Sequence, residues 1–349
     1  MPAVLRHSRS RTHSDPLLNG AQHGPLYDVA IVSSLAFSST ARGALLAQPQ
    51  EAKDRLFREC EVVKVLGRGN QGVAELVRLD PAQFSGPVPR LMVRKRCVIG
   101  EGIDAQVKEY LHEEVSILSK LDHPSIVSYF HCLVADDTVM LYMEYADGGN
   151  LHEKIRQRQT DQSSRPLGPA GLGVRHFETR QVSAWLVQLA AALRHVHSRQ
   201  ILHRDLKTAN VFLNALGSVK LGDFGISRTL STHTQFSNTI VGTPHCMAPE
   251  VLGSAPYAHA ADIWALGIIL FELLTLHRPF SGDGLAMLVV RISHGQYDAP
   301  ALQQAPHPPA LKRLASNVAL LHPEPEERMT LDGLDRELLL IAEQEQAPQ

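Results

Sequence analysis

The apolar pattern changes its period at Gly148-Gly149, and this change narrows the fold more than any other feature. Before it, short runs rich in Val, Leu, Met and Tyr are cut by Gly, Pro and Asp, which reads as strands and turns. Glu61–Leu66 and Ala74–Leu79 are predicted strands around a Gly-rich turn. Leu91–Val98 follows a surface loop at Pro81–Pro89, and Ile126–Leu133 and Thr138–Tyr145 complete the set. One helix interrupts them: Gln106–Leu121 carries Val107, Leu111, Val115 and Leu118 at helical spacing and stops at His123-Pro124. After Gly148-Gly149 a polar loop at Gln157–Gly173 precedes longer helical patterns at Arg180–Ser198, Ala260–Leu276, Leu285–His294, Ala310–Leu321 and Leu331–Ala342. The expected class is α+β and bilobal, a small sheet-rich lobe before a larger helical lobe, with a ligand cleft between them.

Residues 1–55 show no sustained periodicity and are expected to be a disordered arm, with order starting near Leu56. The globular part is expected over 56–342, divided into a first lobe at 56–143, a hinge at 144–147 and a second lobe at 148–342, with a tail at 343–349. The formal net charge is −2, so nothing in the charge balance suggests a surface built to hold nucleic acid or acidic lipid. Cys60, Cys97, Cys132 and Cys246 form no C-x-x-C pair, which argues against a zinc site or disulfide framework and for a reducing compartment. The apolar stretch Ile263–Leu276 is short for a membrane span and is broken by Glu272; it reads as a buried helix.

Gly67-Arg68-Gly69-Asn70-Gln71-Gly72 joins two predicted strands. Glycines there let backbone N–H groups approach phosphate oxygens. On its own the segment is equally well a Gly-rich hairpin, but the strand that follows disfavours a dinucleotide fold, which needs a helix next. Three further motifs are more specific. His203-Arg204-Asp205-Leu206-Lys207-Thr208-Ala209-Asn210 is followed by Asp223-Phe224-Gly225 and then by Ala248-Pro249-Glu250. In that order they match the protein-kinase signature set. From about Glu61 to Ile341 the chain resembles eukaryotic protein kinases. The strings Glu144–Leu151, His203–Leu213, Leu221–Arg228, Val241–Glu250 and Asp262–Gly267 are similar to those of the NIMA-related (NEK) serine/threonine kinases.

This resemblance implies ATP and Mg2+ as cofactors and Ser/Thr hydroxyls of proteins as acceptors. Phosphoryl transfer needs positioned groups and charge neutralisation more than covalent help. Asp205 is the expected base for the acceptor hydroxyl, Lys207 the loop lysine that marks the serine/threonine class, and Asn210 and Asp223 the magnesium ligands, since hard oxygens suit that ion. Lys95 in Met92-Val93-Arg94-Lys95 is the expected phosphate ligand, with Glu114 as its helix partner. Arg94 is a rival by one residue, and only one of the two can face the cleft. Nucleotide contacts are expected from Leu66, Gly67, Arg68, Gly69, Asn70, Gln71, Gly72, Ala74, Val93, Lys95, Phe212, the gatekeeper Met143, and the backbone of Glu144 and Ala146. Gln71 and Ala74 depart from the family's usual aromatic and valine.

Thr239 is the expected activating phosphosite, its phosphate pairing with Arg204, with Ser231, Thr232, Thr234 and Ser237 as competitors. Glu250 and Arg328 are expected to form a buried ion pair, Asp262 to cap the catalytic loop, and His203, Phe224 and Leu118 to pack between lobes. None of the 18 histidines is assigned to metal. Arg11-Thr12-His13-Ser14-Asp15-Pro16 has the spacing of a 14-3-3 docking site at Ser14, although a chance match or a mitochondrial presequence also fits. The expected location is cytoplasmic, with cytoskeletal or nuclear association open. Two rival functions stand beside the kinase reading. One is a pseudokinase scaffold that binds nucleotide; the other is a small-molecule phosphotransferase, disfavoured by the Gly242–Glu250 platform.

Overall fold

The computed structural model describes residues 43, 45, 47, 49–69, 72–80, 91–98, 116–135, 138–163, 176–224 and 244–346. Asn70, Gln71, Glu114, Gly225, Thr239 and Ser14 lie outside the described residues.

Five strands form one antiparallel sheet. They are β1 (Glu61–Gly69), β2 (Gly72–Arg78), β3 (Leu91–Val98), β4 (Tyr129–Ala135) and β5 (Thr138–Glu144), in the order β1-β2-β3-β5-β4. β1 is exposed along its whole length, whereas β4 and β5 are largely buried. Gly72 shows why the β1–β2 turn needs glycine at its end. Its φ is +117°, and an added Cβ would lie 1.9 Å from the Arg96 carbonyl oxygen of β3.

The disordered-arm expectation is corrected in its last part. Gln50–Arg58 forms a helix, α1, and Leu45 is fully buried. With only Leu56 and Phe57 turned to the protein, α1 carries too few apolar positions to show a helical period in the sequence.

The remaining described chain is mostly helical: α2 (Leu151–Ser163), α3 (Thr179–His197), α4 (Pro249–Leu252), α5 (His259–Thr275), α6 (Leu285–Ser293), α7 (Ala299–Gln304), α8 (Pro309–Leu314) and α9 (Leu331–Gln346). Residues 157–163 therefore belong to α2 and not to a loop; Leu151 and Ile155 are its buried anchors. The helix expected at Ala310–Leu321 ends at Leu314, after which Leu320 N donates back to the Leu314 carbonyl in a run of turns. Residues 343–346, expected in the tail, continue α9.

α3 is amphipathic and packs Val182, Leu186, Leu189, Leu193 and Val196 inward. α5 is apolar nearly all round and runs through the core, with Trp264 stacked on Phe280 at 5.5 Å between ring centroids. A two-stranded ribbon, β6 (Val211–Leu213) with β7 (Val219–Leu221), meets the first lobe at Leu221, which bonds Val127 N at 2.9 Å and Ser125 O at 2.8 Å.

Candidate active site

Pairing register decides which side chains of β3 enter the cleft. Ala74, Lys95, Leu141 and Cys132 form one row across β2, β3, β5 and β4; the next row is Glu75, Arg94, Tyr142 and His131. Successive residues point to opposite faces. Lys95 accordingly reaches Asp223, its Nζ 3.0 Å from Oδ1. Arg94 turns away and pairs with Glu75, Nη2 to Oε2 at 2.8 Å. Burial works against the Arg94 charge, but its hydrogen bonds to Glu75 and Tyr142 outweigh that and raise its pKa.

A cleft of about 620 Å³ lies beneath β1 and β2. Leu66, Ala74, Val93, Met143 and Phe212 supply its apolar walls, while Lys95 and Asp223 stand at its charged end. Gly67 and Gly69 line it too, and a Cβ on either would meet nothing within 4 Å, so the strand leaves open room above the cleft.

Below the cleft the His203–Asn210 segment folds around its own acid. Asp205 is buried; Lys207 Nζ donates to its Oδ2 at 2.8 Å and Asn210 Nδ2 to the same oxygen at 3.0 Å. Asn210 Nδ2 also donates to the Asp205 carbonyl at 2.8 Å, which orients the amide and turns its Oδ1 oxygen the other way. Asn210 O accepts from Gly222 N at 3.0 Å, bringing Asp223 beside it. Arg204 and Asp223 both hold positive φ, 63° and 53°, a strained geometry for residues other than glycine.

Asp262 of α5 maintains this loop shape. Its carboxylate accepts from His203 N at 3.0 Å, Arg204 N at 3.2 Å, Tyr257 OH at 2.8 Å and, at 2.8 Å, pairs with His197 Nε2. Full burial alone would raise its pKa; the His197 hydrogen bond and the neighbouring His203 hold it below the usual carboxylate value. His203 packs against Phe224 at 4.6 Å, and Leu118 is buried in the same core. Glu250 and Arg328 form a bidentate pair at 2.7 and 2.9 Å.

The site lies within residues 60–338, which match the family model for the protein kinase domain. The chain belongs to the protein kinase family. Its curated relatives include serine/threonine-protein kinase Nek5 of Homo sapiens, 36% identical over 242 residues, covering 68% of this chain and 31% of that protein. Nek1 of Mus musculus is 35% identical over 232 residues, covering 66% of this chain and 18% of that protein. Nekl-2 of Caenorhabditis elegans is 34% identical over 238 residues, covering 68% of this chain and 63% of that protein. The chain thus resembles NIMA-related kinases and spans about a third of the length of Nek5.

In this kinase domain the described residues expected as nucleotide contacts all line the cleft: Leu66, Gly67, Arg68, Gly69, Gly72, Ala74, Val93, Lys95, Met143, Glu144, Ala146 and Phe212, and Asp223, expected as a magnesium ligand, lines it with them. Val127, Tyr145, Asp147, Gly149, Asn150, Glu153 and Ala209 line it as well and were not expected. Ala209 sits inside the His203–Asn210 motif, which was the available signal. Asn150 arrives through an isolated bridge to Phe212, a tertiary contact with no local sequence mark. Glu144 has a second role. Its N donates to Ser128 O at 2.9 Å, its Oε2 accepts from Ser128 N at 3.1 Å, and its Oε1 lies 2.7 Å from Lys220 Nζ. Among the described residues no cluster of three or more His, Cys, Asp or Glu suits a metal ion, and no helix is long and apolar enough to cross a membrane.

Proposed function

We propose that this chain is an ATP-dependent serine/threonine protein kinase of the NIMA-related type, transferring the γ-phosphoryl group of Mg-ATP to Ser or Thr hydroxyls of proteins. The observation that carries the reading is the Asp205 carboxylate, held at one oxygen by Lys207 and Asn210, one loop away from the Lys95–Asp223 pair at the mouth of a nucleotide-sized cleft.

The donor set fits the cofactors. An adenine base matches the apolar walls, Lys95 offers a cation to phosphate oxygens, and Asp223 with Asn210 Oδ1 offers hard oxygen ligands to magnesium. ATP supplies the phosphoryl group and magnesium neutralises its charge. The protein's work is then positional. Lys95 exchanges its Asp223 partner for phosphate oxygens, and the hinge backbone at Glu144 and Ala146 reads the adenine edge. Asp205 would accept the acceptor hydroxyl's proton as that oxygen bonds to the γ-phosphorus and the bond from this phosphorus to the departing ADP breaks, and Lys207 would steady the transferring group. Two fixed donors on Oδ2 set the plane of the Asp205 carboxylate before any acceptor arrives, and such preorganisation lowers the barrier.

Glu114 as the partner of Lys95 and Thr239 as the activating phosphosite complete the proposal on sequence grounds; phosphate mapping on the active chain tests the latter. Lys95→Met should abolish phosphoryl transfer with the fold intact by circular dichroism. Turnover close to that of the unaltered chain would remove Lys95 from the phosphate site and the proposal with it.

A further inference from the structure

Two rows of cleft-facing residues, Ala74–Lys95 and Val93–Met143, flank a row that faces the other way: Glu75, Arg94, Tyr142 and His131, aligned across β2, β3, β5 and β4. This outward row is not left to solvent. Glu75, Tyr142 and His131 are all buried. The cover is α1. Its Phe57 ring is fully buried, stacked on His131 at 4.6 Å and tilted against Tyr142 at 4.5 Å between centroids. The Phe57 carbonyl accepts from Tyr142 OH at 2.8 Å, and Asp54 Oδ1 lies 2.8 Å from His131 Nε2. Just past the helix, Cys60 Sγ lies 3.6 Å from Arg94 Nη1. Leu45, Leu56 and Phe57 share a separate hydrophobic cluster with Val77, Leu79, Met92, Phe130, Leu133 and Tyr142. α1 precedes residues 60–338 that match the protein kinase domain, so it is an addition to what the family model describes.

We infer that Phe57 is a positioning residue of the nucleotide cleft: from the back of the sheet it locks the β3–β5 register that carries Lys95 and the hinge. This rests on the kinase reading for the identity of the ligand. The physical reason is adjacency. Tyr142 is the chain neighbour of both Leu141 and Met143, and Arg94 of both Val93 and Lys95, so any slip or twist of the covered row moves the cleft rows with it. A sheet with one face bare resists twisting less than a sheet packed on both faces, because closely packed side chains transmit strain instead of absorbing it.

The test uses the full chain and three variants, Phe57→Leu, Phe57→Ala and Tyr142→Phe, with two readouts: affinity for a fluorescent ATP analogue by titration, and kcat at saturating ATP. Phe57→Ala should weaken nucleotide affinity about tenfold and lower kcat by a smaller factor, since saturating ATP makes up for the lost binding but not for a displaced Lys95. Phe57→Leu should restore most of the loss. Unchanged affinity in a folded Phe57→Ala chain overturns the inference, and so does an equal loss of kcat and affinity, which would make α1 a matter of stability alone. If Phe57→Ala does not fold, Tyr142→Phe decides: it removes the hydroxyl that bonds the Phe57 carbonyl and Arg94 and should weaken affinity about threefold, and no change overturns the inference. An unaltered chain that binds the analogue but transfers no phosphate defeats the kinase reading, while the affinity comparison still decides the role of Phe57.

Discussion

Arg328→Met removes the most heavily satisfied side chain of the helical lobe. Arg328 is almost wholly buried and donates five hydrogen bonds: to Glu250 Oε1 at 2.7 Å and Oε2 at 2.9 Å, and to the carbonyls of Ala260 at 2.8 Å, His322 at 2.9 Å and Pro323 at 3.1 Å. Its guanidinium also lies 5.1 Å from the Trp264 ring centre. Met keeps the volume of the aliphatic stem but no donor, so the largely buried Glu250 carboxylate loses its cation and the carbonyls of Ala260, His322 and Pro323 each lose a donor. Breaking a buried pair by removing one partner costs about 3–5 kcal/mol. That is a large share of the roughly 5–15 kcal/mol that holds a domain folded. Urea denaturation should show the midpoint falling in proportion, with the slope unchanged. Adding Glu250→Leu removes the orphaned charge, so the double variant should recover more than half of the loss. A single-variant loss below about 1 kcal/mol, the range of a surface pair, or a double variant no more stable than the single, would show that the Arg328–Glu250 pair does not brace the helical lobe.

Lys220→Gln should raise the KM for ATP about fivefold with little change in kcat, because the buried Lys220–Glu144 pair holds the hinge and loss of one partner of such a pair weakens what it positions; an unchanged KM counts against this. Stability should fall as pH drops from 7 towards 5. Burial, helped by the neighbouring His195, holds His123 neutral down to about 4, and burial beside His176 does the same for His307, also about 4. In that window the unfolded chain binds protons that the folded chain does not, so stability is full above the ordinary histidine pKa and is lost below it. Thermal melts from pH 7 to 5 check this, and His307→Gln should flatten the slope; a level profile in the unaltered chain would contradict it.

The helical core and most of the cleft were legible in the sequence because one face of each element is buried. α3 and α5 fall within a residue of their expected bounds, and β3 matches in full, since Met92, Val93 and Cys97 sit in a run rich in β-branched and apolar residues. The His203–Asn210 loop was legible for a different reason: Lys207 and Asn210 both bond Asp205 within six residues of chain. What escaped depends on partners distant in sequence. α1 is held by Tyr142 and His131, more than seventy residues away, and its own stretch reads as polar tail. The end of α2 escaped because the chain is polar beyond its buried anchors Leu151 and Ile155, whereas α8 reads too long because Ala315, Ala319, Leu320 and Leu321, buried in turns past Leu314, prolong the apolar pattern.

In the proposed reaction Asp205 accepts the proton of a protein hydroxyl while the γ-phosphoryl group moves from ATP to that oxygen and ADP leaves. The most direct measurement is transfer of radiolabelled phosphate from ATP to a set of Ser- and Thr-containing peptides by the full chain and by Asp205→Asn. The substitution keeps the shape of the side chain and the Asn210 and Lys207 neighbours but removes the base. Label is expected on Ser or Thr with the unaltered chain, with a fall of at least about a hundredfold for Asp205→Asn and ATP-analogue affinity within about twofold of the original, since uniform binding does not depend on this group. Transfer by Asp205→Asn at a rate close to that of the unaltered chain, or nucleotide binding without transfer by the unaltered chain, would contradict it.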